Sequence, residues 1–182
     1  MKEIRWHGRG GQGAVTAAEV LAVAAFLDGK YSQAFPHFGV ERRGAPVKAF
    51  TRIDDKFIRL REHVYTPDYV IVLEATLLDA VNVAEGLKED GIIIINTEMS
   101  PDEVRKKLGV NNEIRCVDAT KIALEEIGKP FVNMPMLGAF VKATGIVSLD
   151  SVKKAIMERF ASKPAIAEKN VKAVERSYNE LR

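Results

Sequence analysis

Short apolar runs rich in β-branched side chains recur along the chain and are typical of strands. Residues 68–73 and 91–96 form two such runs that are almost continuously apolar, and residues 3–7 predict an earlier, apolar-edged strand. Continuous runs of this length are expected for strands covered on both faces, as in a parallel sheet. The pattern therefore predicts that 68–73 and 91–96 are central parallel strands.

Helical stretches alternate with these strands and fill the last third of the chain. Residues 14–28 are rich in alanine, and a capping serine, a proline and two acids open another stretch at Ser100. Strands alternating with helices predict a three-layer α/β/α arrangement in a single domain spanning residues 1–182. We expect helices near residues 14–28, 76–87, from 100 onward, 119–127, 136–142, 148–160 and 164–178.

One region breaks the alternation of strands and helices. Residues 45–53 and 56–61 each alternate apolar with polar or basic side chains, on either side of Asp54 and Asp55. This is the pattern of an antiparallel hairpin with one solvated face. We therefore expect a mixed, mainly parallel sheet with an antiparallel hairpin near 45–61 and a helical C-terminus.

The segment between the first strand and the first helix carries the most informative pattern in the chain. It reads Gly8-Arg9-Gly10-Gly11-Gln12-Gly13. Glycines let a backbone turn sharply and approach a ligand, and the unpaired N–H groups of a helix N-terminus favour an anion. The segment predicts a phosphate-binding loop. The alternative is that these glycines only permit close packing of the helix on the sheet.

The same letters satisfy the dinucleotide fingerprint G-x-G-x-x-G, but its usual companion is missing. A dinucleotide site needs an acid at the end of the second strand to hold the ribose. The run 30–35 ends in Pro36, and Asp28 comes before it. We expect no nicotinamide or flavin cofactor. Glu74 closes the 70–73 run at its carboxyl end, where it either faces a site or caps the next helix.

Size and charge exclude several classes of protein. The chain has 182 residues, enough for one domain with a real core, and its 27 basic and 25 acidic residues are well mixed, giving a net charge of +2. Such mixing argues against a nucleic-acid partner. Because no apolar run approaches roughly 20 residues and the start lacks a signal-peptide core, we expect no membrane partner and a cytoplasmic location.

Cysteine and histidine usage argues against metal chemistry on this chain. Cys116 is the only cysteine, so the chain alone cannot build a disulfide framework, a thiolate zinc site or an iron–sulfur cluster. His7, His37 and His63 are scattered without ligand spacing. We expect no metal site and no catalytic residue, a buried and inert Cys116, a core position for Trp6 and a hydrogen-bonded His7.

Three segments in this order resemble a known family. They are residues 8–13, the stretch Phe35-Pro36-His37-Phe38-Gly39-Val40-Glu41-Arg42-Arg43-Gly44-Ala45-Pro46, and Asn133-Met134-Pro135-Met136-Leu137-Gly138-Ala139. The set is similar to the gamma subunit of pyruvate and other 2-oxoacid:ferredoxin oxidoreductases. The second segment leans toward the pyruvate type.

The resemblance implies a complex that decarboxylates a 2-oxoacid oxidatively on thiamine diphosphate. It passes electrons through iron–sulfur clusters to ferredoxin and transfers the acyl group to coenzyme A. The implied partners are alpha, beta and delta subunits, with ferredoxin reached through the complex. Thiamine diphosphate, Mg²⁺ and the clusters are expected on those partners, which leaves the isolated chain inactive.

Coenzyme A is the one ligand of this reaction that suits the residues present. Its pyrophosphate and 3′-phosphate are anions that glycine N–H groups and arginine guanidinium groups hold well. The alternatives are an arginine pair that binds Glu41 or a partner's acids, and a purely structural subunit without a ligand. The candidate coenzyme A-binding residues are Gly8, Arg9, Gly10, Gly11, Gln12, Gly13, Glu41, Arg42, Arg43 and Gly44.

Overall fold

The sheet is mixed and six-stranded in the part of the chain that the computed structural model describes, which is residues 1–37, 39 and 42–182. The spatial order is β2-β3-β1-β4-β5-β6. The strands are β1 (Lys2–Arg9), β2 (Tyr31–Pro36), β3 (Pro46–Asp54), β4 (Tyr69–Val72), β5 (Ile92–Asn96) and β6 (Glu113–Val117).

Strand β1 lies where the sheet changes direction. It pairs antiparallel with β3, so that Trp6 faces Ala49, and parallel with β4, so that Trp6 also faces Ile71. Strands β4, β5 and β6 continue the parallel half, and β2 completes the antiparallel half on the far side of β3. The predicted mixed, mainly parallel sheet is confirmed.

Helices cover the two faces of the sheet unequally. One face carries α1, α4, α5, α6 and α7, and the other carries the short α2 and α3 over the parallel half. None of the helices in the described residues is long and apolar enough to cross a membrane. The helices are α1 (Ala14–Leu27), α2 (Leu77–Ala80), α3 (Pro101–Leu108), α4 (Ala119–Glu126), α5 (Asn133–Thr144), α6 (Leu149–Arg159) and α7 (Pro164–Glu180).

Strand β4 shows why its run is continuously apolar. Ile71 and Leu73 pack into the large core beneath α1 and α4–α7, whereas Val70 and Val72 point into a second core beneath α2 and α3. All four side chains are buried. Since side chains alternate between the faces of a strand, only a strand covered on both sides excludes polar residues throughout.

The predicted hairpin between 45–53 and 56–61 is wrong in its second strand. Residues 46–54 do form β3, but both edges of β3 are already paired, with β1 on one side and β2 on the other. Because a strand has only two hydrogen-bonding edges, none remains for residues 56–61, which are irregular. The antiparallel hairpin of the structure is β2–β3.

The helix predicted over 76–87 is much shorter in the structure. Helix α2 ends at Ala80, and Val81 is extended. The Asn82 side chain accepts a hydrogen bond from Ala84 N, a local turn that competes with helix. Gly86 then takes a positive φ of 69°, so the chain leaves the helical path twice within six residues.

The C-terminus completes the edge of the sheet at β6. The backbone of Arg182 exchanges two hydrogen bonds with Cys116, at 2.9 and 3.0 Å, which covers part of an otherwise open edge. Cys116 is fully buried, and burial raises the pKa of its thiol to about 11. The predicted burial of Cys116 is confirmed, and a neutral, inaccessible thiol is a poor nucleophile.

Replacing Gly138 tests the close packing of α5 against α7 in the large core. A Cβ at this position of α5 would collide with the backbone of α7 at the Val174 carbonyl. An alanine normally stabilises a helix interior by about 1 kcal/mol over glycine, but overpacking costs about 1–3 kcal/mol. We expect Gly138→Ala to lower the free energy of unfolding, measured by chemical denaturation.

The matched control is Gly39→Ala, since a Cβ there has no described neighbour nearer than 4.0 Å, at His37. A more stable Gly138→Ala variant would contradict this close approach of α5 and α7.

Candidate functional site

The glycine-rich segment leaves β1 at the carboxyl end of the central strand and enters α1. Gly11 and Gly13 have positive φ of 94° and 78°, a region that side chains other than glycine rarely occupy. Gly13 is the N-cap of α1, and no side chain caps that helix. The first backbone N–H groups of α1 therefore point out of the loop, as an anion-binding site requires.

The second segment lies directly against this loop. Gly10 N donates to Ala45 O at 2.9 Å, and Gly44 N donates to Gly10 O at 3.1 Å. A Cβ on Gly10 would collide with the carbonyl oxygen of Arg42, so this approach requires glycine. Residues 8–13 and 42–45, which are distant in the sequence, thus form one surface, in which Arg42 and Arg43 are exposed.

Glu74, at the end of β4, holds the loop from its other side. Gln12 Nε2 donates to Glu74 Oε2 at 2.7 Å, and Gln12 Oε1 accepts from Arg9 N at 2.7 Å. Arg9 Nε lies 3.2 Å from Glu74 Oε2. The Thr76 hydroxyl donates to Glu74 Oε1, and this hydrogen bond, with those from Gln12 and Arg9, holds the pKa of Glu74 below its usual value.

This network uses the polar groups that the sequence suggested for a phosphate. Arg9 also donates from Nη2 to Thr76 Oγ1 at 2.9 Å and from Nη1 to the Gly44 carbonyl at 3.1 Å. With its three nitrogens engaged, Arg9 connects β1, β4 and the second segment. Arg9 and Gln12 therefore fix the shape of the loop, while the backbone N–H groups and other cations are left to face a ligand.

A cavity of about 600 Å³ opens beside the N-terminus of α1. Its opposite wall comes from the link between α4 and α5 and from the facing ends of α6 and α7. Asn133, the first residue of α5, donates to Gly13 O at 3.4 Å and closes the floor. The cavity is lined by Gly11, Gln12, Gly13, Thr16, Ile127, Lys129, Phe131, Asn133, Arg159, Phe160, Lys163, Ile166, Lys169 and Asn170.

The charged side chains that line this cavity in the described residues are basic, and one of them, Arg159, lies 3.7 Å from Glu19, which is outside the lining. Lys129, Arg159, Lys163 and Lys169 line it, and none of the described lining residues is acidic. Apolar side chains, among them Phe131, alternate with these cations. A helix N-terminus, several cations and apolar surface together suit a ligand that carries phosphate groups on an organic body.

The structure brings most of the predicted site residues close together, but only some of them line the cavity. Gly8 to Gly13 and Gly44 form one continuous surface, whereas Arg42 and Arg43 lie beside Gly10 and do not line the cavity. Glu41 lies outside the described residues. The lysines of the cavity were missed because they are spread over residues 129–169, and of the described residues in the wall opposite the loop only Asn133 belonged to a recognised segment.

The sequence was also compared with known protein families. The family described as Pyruvate ferredoxin/flavodoxin oxidoreductase matches residues 3–180. The chain belongs to this family. The sequence resemblance is therefore confirmed, and the match spans the loop, the cavity and both cores.

Relatives within the family are gamma-type subunits. The chain is 61% identical to "Pyruvate synthase subunit PorC" of Methanocaldococcus jannaschii, covering 100% of this chain and 97% of the relative. It is 59% identical to "Pyruvate/ketoisovalerate oxidoreductases common subunit gamma" of Thermococcus kodakarensis, covering 98% and 96%.

A solved structure supports both the fold and this assignment. The chain matches the crystal structure of pyruvate oxidoreductase subunit PORC from Thermotoga maritima with a TM-score of 0.88 and 48% identity, covering 100% of this chain and 97% of that one. The chain is a gamma-type subunit of a 2-oxoacid:ferredoxin oxidoreductase.

Replacing Glu74 tests its role in holding the loop. Because the folded pKa of Glu74 is depressed, its carboxylate stabilises the fold above its unfolded pKa of about 4.3, and this contribution disappears as pH falls through the lower folded value. We expect Glu74→Gln to cost about 1 kcal/mol near pH 7, after discounting for partial exposure, and nothing at low pH. Urea unfolding as a function of pH measures this.

Glu98→Gln, which removes an exposed carboxylate elsewhere, is the matched control. An equal loss of stability for Glu74→Gln at pH 7 and at pH 3 would show that the carboxylate does not hold the loop.

Proposed function

We propose that this subunit supplies the phosphate-binding surface for coenzyme A in its complex. The complex oxidatively decarboxylates a 2-oxoacid, transfers the acyl group to coenzyme A and reduces ferredoxin. Alpha, beta and delta subunits are the proposed partners, and the gamma subunit contributes no catalytic residue. Its role is to bind and orient a substrate for chemistry that occurs on those partners.

The observation that carries this proposal is the N-terminus of α1 opening on a cavity with four cations and no acid among its described lining residues. Coenzyme A carries a pyrophosphate and a 3′-phosphate. Backbone N–H groups at a helix N-terminus bind phosphate without a side-chain charge, and neighbouring lysines add long-range attraction. The apolar residues between the cations suit the organic part of the molecule.

Arg42 and Arg43 give a second cationic segment on the other side of the loop. Both side chains are exposed, and their backbone is fixed against Gly10. The cavity and the arginines together offer cations on both sides of the loop to a ligand with two separate anionic groups. We assign the pyrophosphate to the glycine loop, with Arg42 and Arg43 as the candidate ligands of the 3′-phosphate.

The other cofactors of the reaction do not fit this chain. An iron–sulfur cluster needs several cysteine thiolates, whereas this chain has only Cys116, buried and with a raised pKa. The sequence also lacks the Gly-Asp-Gly…Asn pattern that binds Mg²⁺ with thiamine diphosphate. We therefore assign thiamine diphosphate, Mg²⁺ and the clusters to the partner subunits.

The choice of 2-oxoacid is also assigned to the partners. The relative from Thermococcus kodakarensis is named as a subunit common to pyruvate and ketoisovalerate oxidoreductases. A subunit that serves two substrates of different size does not contain the pocket that distinguishes them. The part of the reaction common to both is the transfer to coenzyme A, which agrees with the proposed role.

The double substitution Arg42→Ala/Arg43→Ala tests the proposal in the intact complex. Each charge-assisted hydrogen bond is worth about 1.5–3 kcal/mol, and exposure reduces this value. We expect the KM for coenzyme A to rise roughly tenfold, with decarboxylation of the 2-oxoacid unchanged. Lys163→Ala/Lys169→Ala is expected to act in the same direction through the cavity. Steady-state kinetics with coenzyme A as the varied substrate gives both values.

Lys121→Ala/Lys154→Ala is the matched control, because it removes two exposed cations outside the cavity. A structural subunit without a ligand predicts a different pattern. Both test variants would then fail to assemble, as measured by size-exclusion chromatography, or would lose activity toward every substrate. Any complex that still forms would keep its KM for coenzyme A.

A further inference from the structure

The opposite face of the sheet carries a second polar pocket that the coenzyme A site does not use. On β1, Ile4 and Trp6 point into the large core beneath α1, so Arg5 and His7 point the other way. There the antiparallel half of the sheet is covered by the irregular segments 55–68 and 81–88. A cavity of about 430 Å³ lies between sheet and segments, lined by Arg5, His37, Lys48, Phe50, His63, Val64, Tyr65, Glu85 and Gly86.

Arg5 is a buried cation in this pocket that has no ion pair with a described carboxylate, although the charge of Glu85, which also lines the pocket, favours its charged form. The residue is only 3% exposed, and its guanidinium donates to His7 Nε2 at 3.0 Å and to the carbonyls of Val83 and Glu85 at 3.0 and 2.5 Å. Among the described residues, no carboxylate oxygen forms an ion pair with Arg5 or Lys48. By contrast, Arg52 on the same face is paired with Glu3 at 2.7 Å. A buried cation normally has such a partner.

The two histidines of the pocket are arranged around the same space. The rings of His37 and His63 lie 4.5 Å apart between centroids, and Phe50 stacks on His63 at 5.4 Å. The pKa of His37 is lowered by burial and by the neighbouring His63 and Lys48. The charged and titratable groups that surround His37 are Arg5, His7 and Lys48 on the sheet and His63, Tyr65 and Glu85 on the covering segments.

We propose that this pocket binds an oxyanion, a carboxylate or a phosphate group, between Arg5, Lys48 and the two histidines. Such an anion would supply the charge that the buried guanidinium lacks. The aromatic walls accept the organic part that carries it. The source is a free small molecule or an acidic side chain of a partner subunit, and both present the same chemistry. The site is on the other face of the sheet from the glycine loop, so it is independent of the coenzyme A proposal.

Nuclear magnetic resonance of the imidazole groups tests the pocket directly. The pKa of His37 and of His63 is measured in the isolated chain with increasing inorganic phosphate or acetate, and potassium chloride at equal ionic strength is the reference. An opposite charge next to a histidine raises its pKa. We expect a saturable rise of about one pH unit, which corresponds to tenfold tighter anion binding by the protonated form.

Lys48→Met is expected to abolish this rise, whereas Lys121→Met, an exposed lysine on α4, is expected to leave it unchanged. If the anion comes from a partner, the isolated chain does not respond. The same histidines then show a raised pKa in the assembled complex, which is lost in Lys48→Met. No shift in either preparation overturns the proposal. It is also overturned if Glu41→Gln lowers these pKa values without added anion, since the chain's own carboxylate would then fill the pocket.

Discussion

The position of β1 between an antiparallel and a parallel neighbour governs the rest of the structure. Because β3 runs against β1 and β4 runs with it, the carboxyl end of β1 meets the start of β3 and the end of β4 at the same edge of the sheet. The glycine loop leaves β1 at that edge. It therefore lies between Gly44, which precedes β3, and Glu74, which follows β4. The Gly44 contact could not form if β3 were parallel to β1, and the Glu74 contact could not form if β4 were antiparallel to it.

The charges of the loop follow from these contacts. Glu74 is the only described carboxylate bonded to Gln12 and Arg9, and it uses the two side chains that a sequence motif would assign to a phosphate. The contacts of Gln12 and Arg9 with Glu74 order the loop. Without these contacts, little would compensate for the conformational entropy that a glycine-rich loop loses on ordering. What remains for an anion is the backbone N–H groups of α1 and the cations across the cavity. A site of this kind depends on main-chain geometry more than on the residues within the motif.

The sequence predicted the elements whose environment is the same along their whole length. Strands β4 and β5 are covered on both faces, and α1 is rich in alanine from end to end, so composition alone located them. The sequence pattern predicted an element wrongly where a tertiary contact determines how that element pairs or where it ends. The partner of β3 depends on which edges are occupied, and α2 ends early because of an Asn82 turn and the conformation of Gly86. Neither appears in an apolar pattern.

The residues of the candidate site also fall into those that the sequence predicted and those that it did not. Glycines were found because few other reasons place four of them within six residues before a helix, and Arg42 and Arg43 were found because the family resemblance includes their segment. The cations of the cavity were not found, since Lys129, Lys163 and Lys169 come from different elements and are neighbours only after α4–α7 pack on one face. Arg5 is a third case. In a strand that also contains Lys2 and Arg9 it looks like a solvated position, and only the structure shows that it is buried on the face without long helices. A charged side chain that the fold buries without an ion pair is therefore found in the structure. The alternation of side chains along the strand then explains why it faces that side of the sheet.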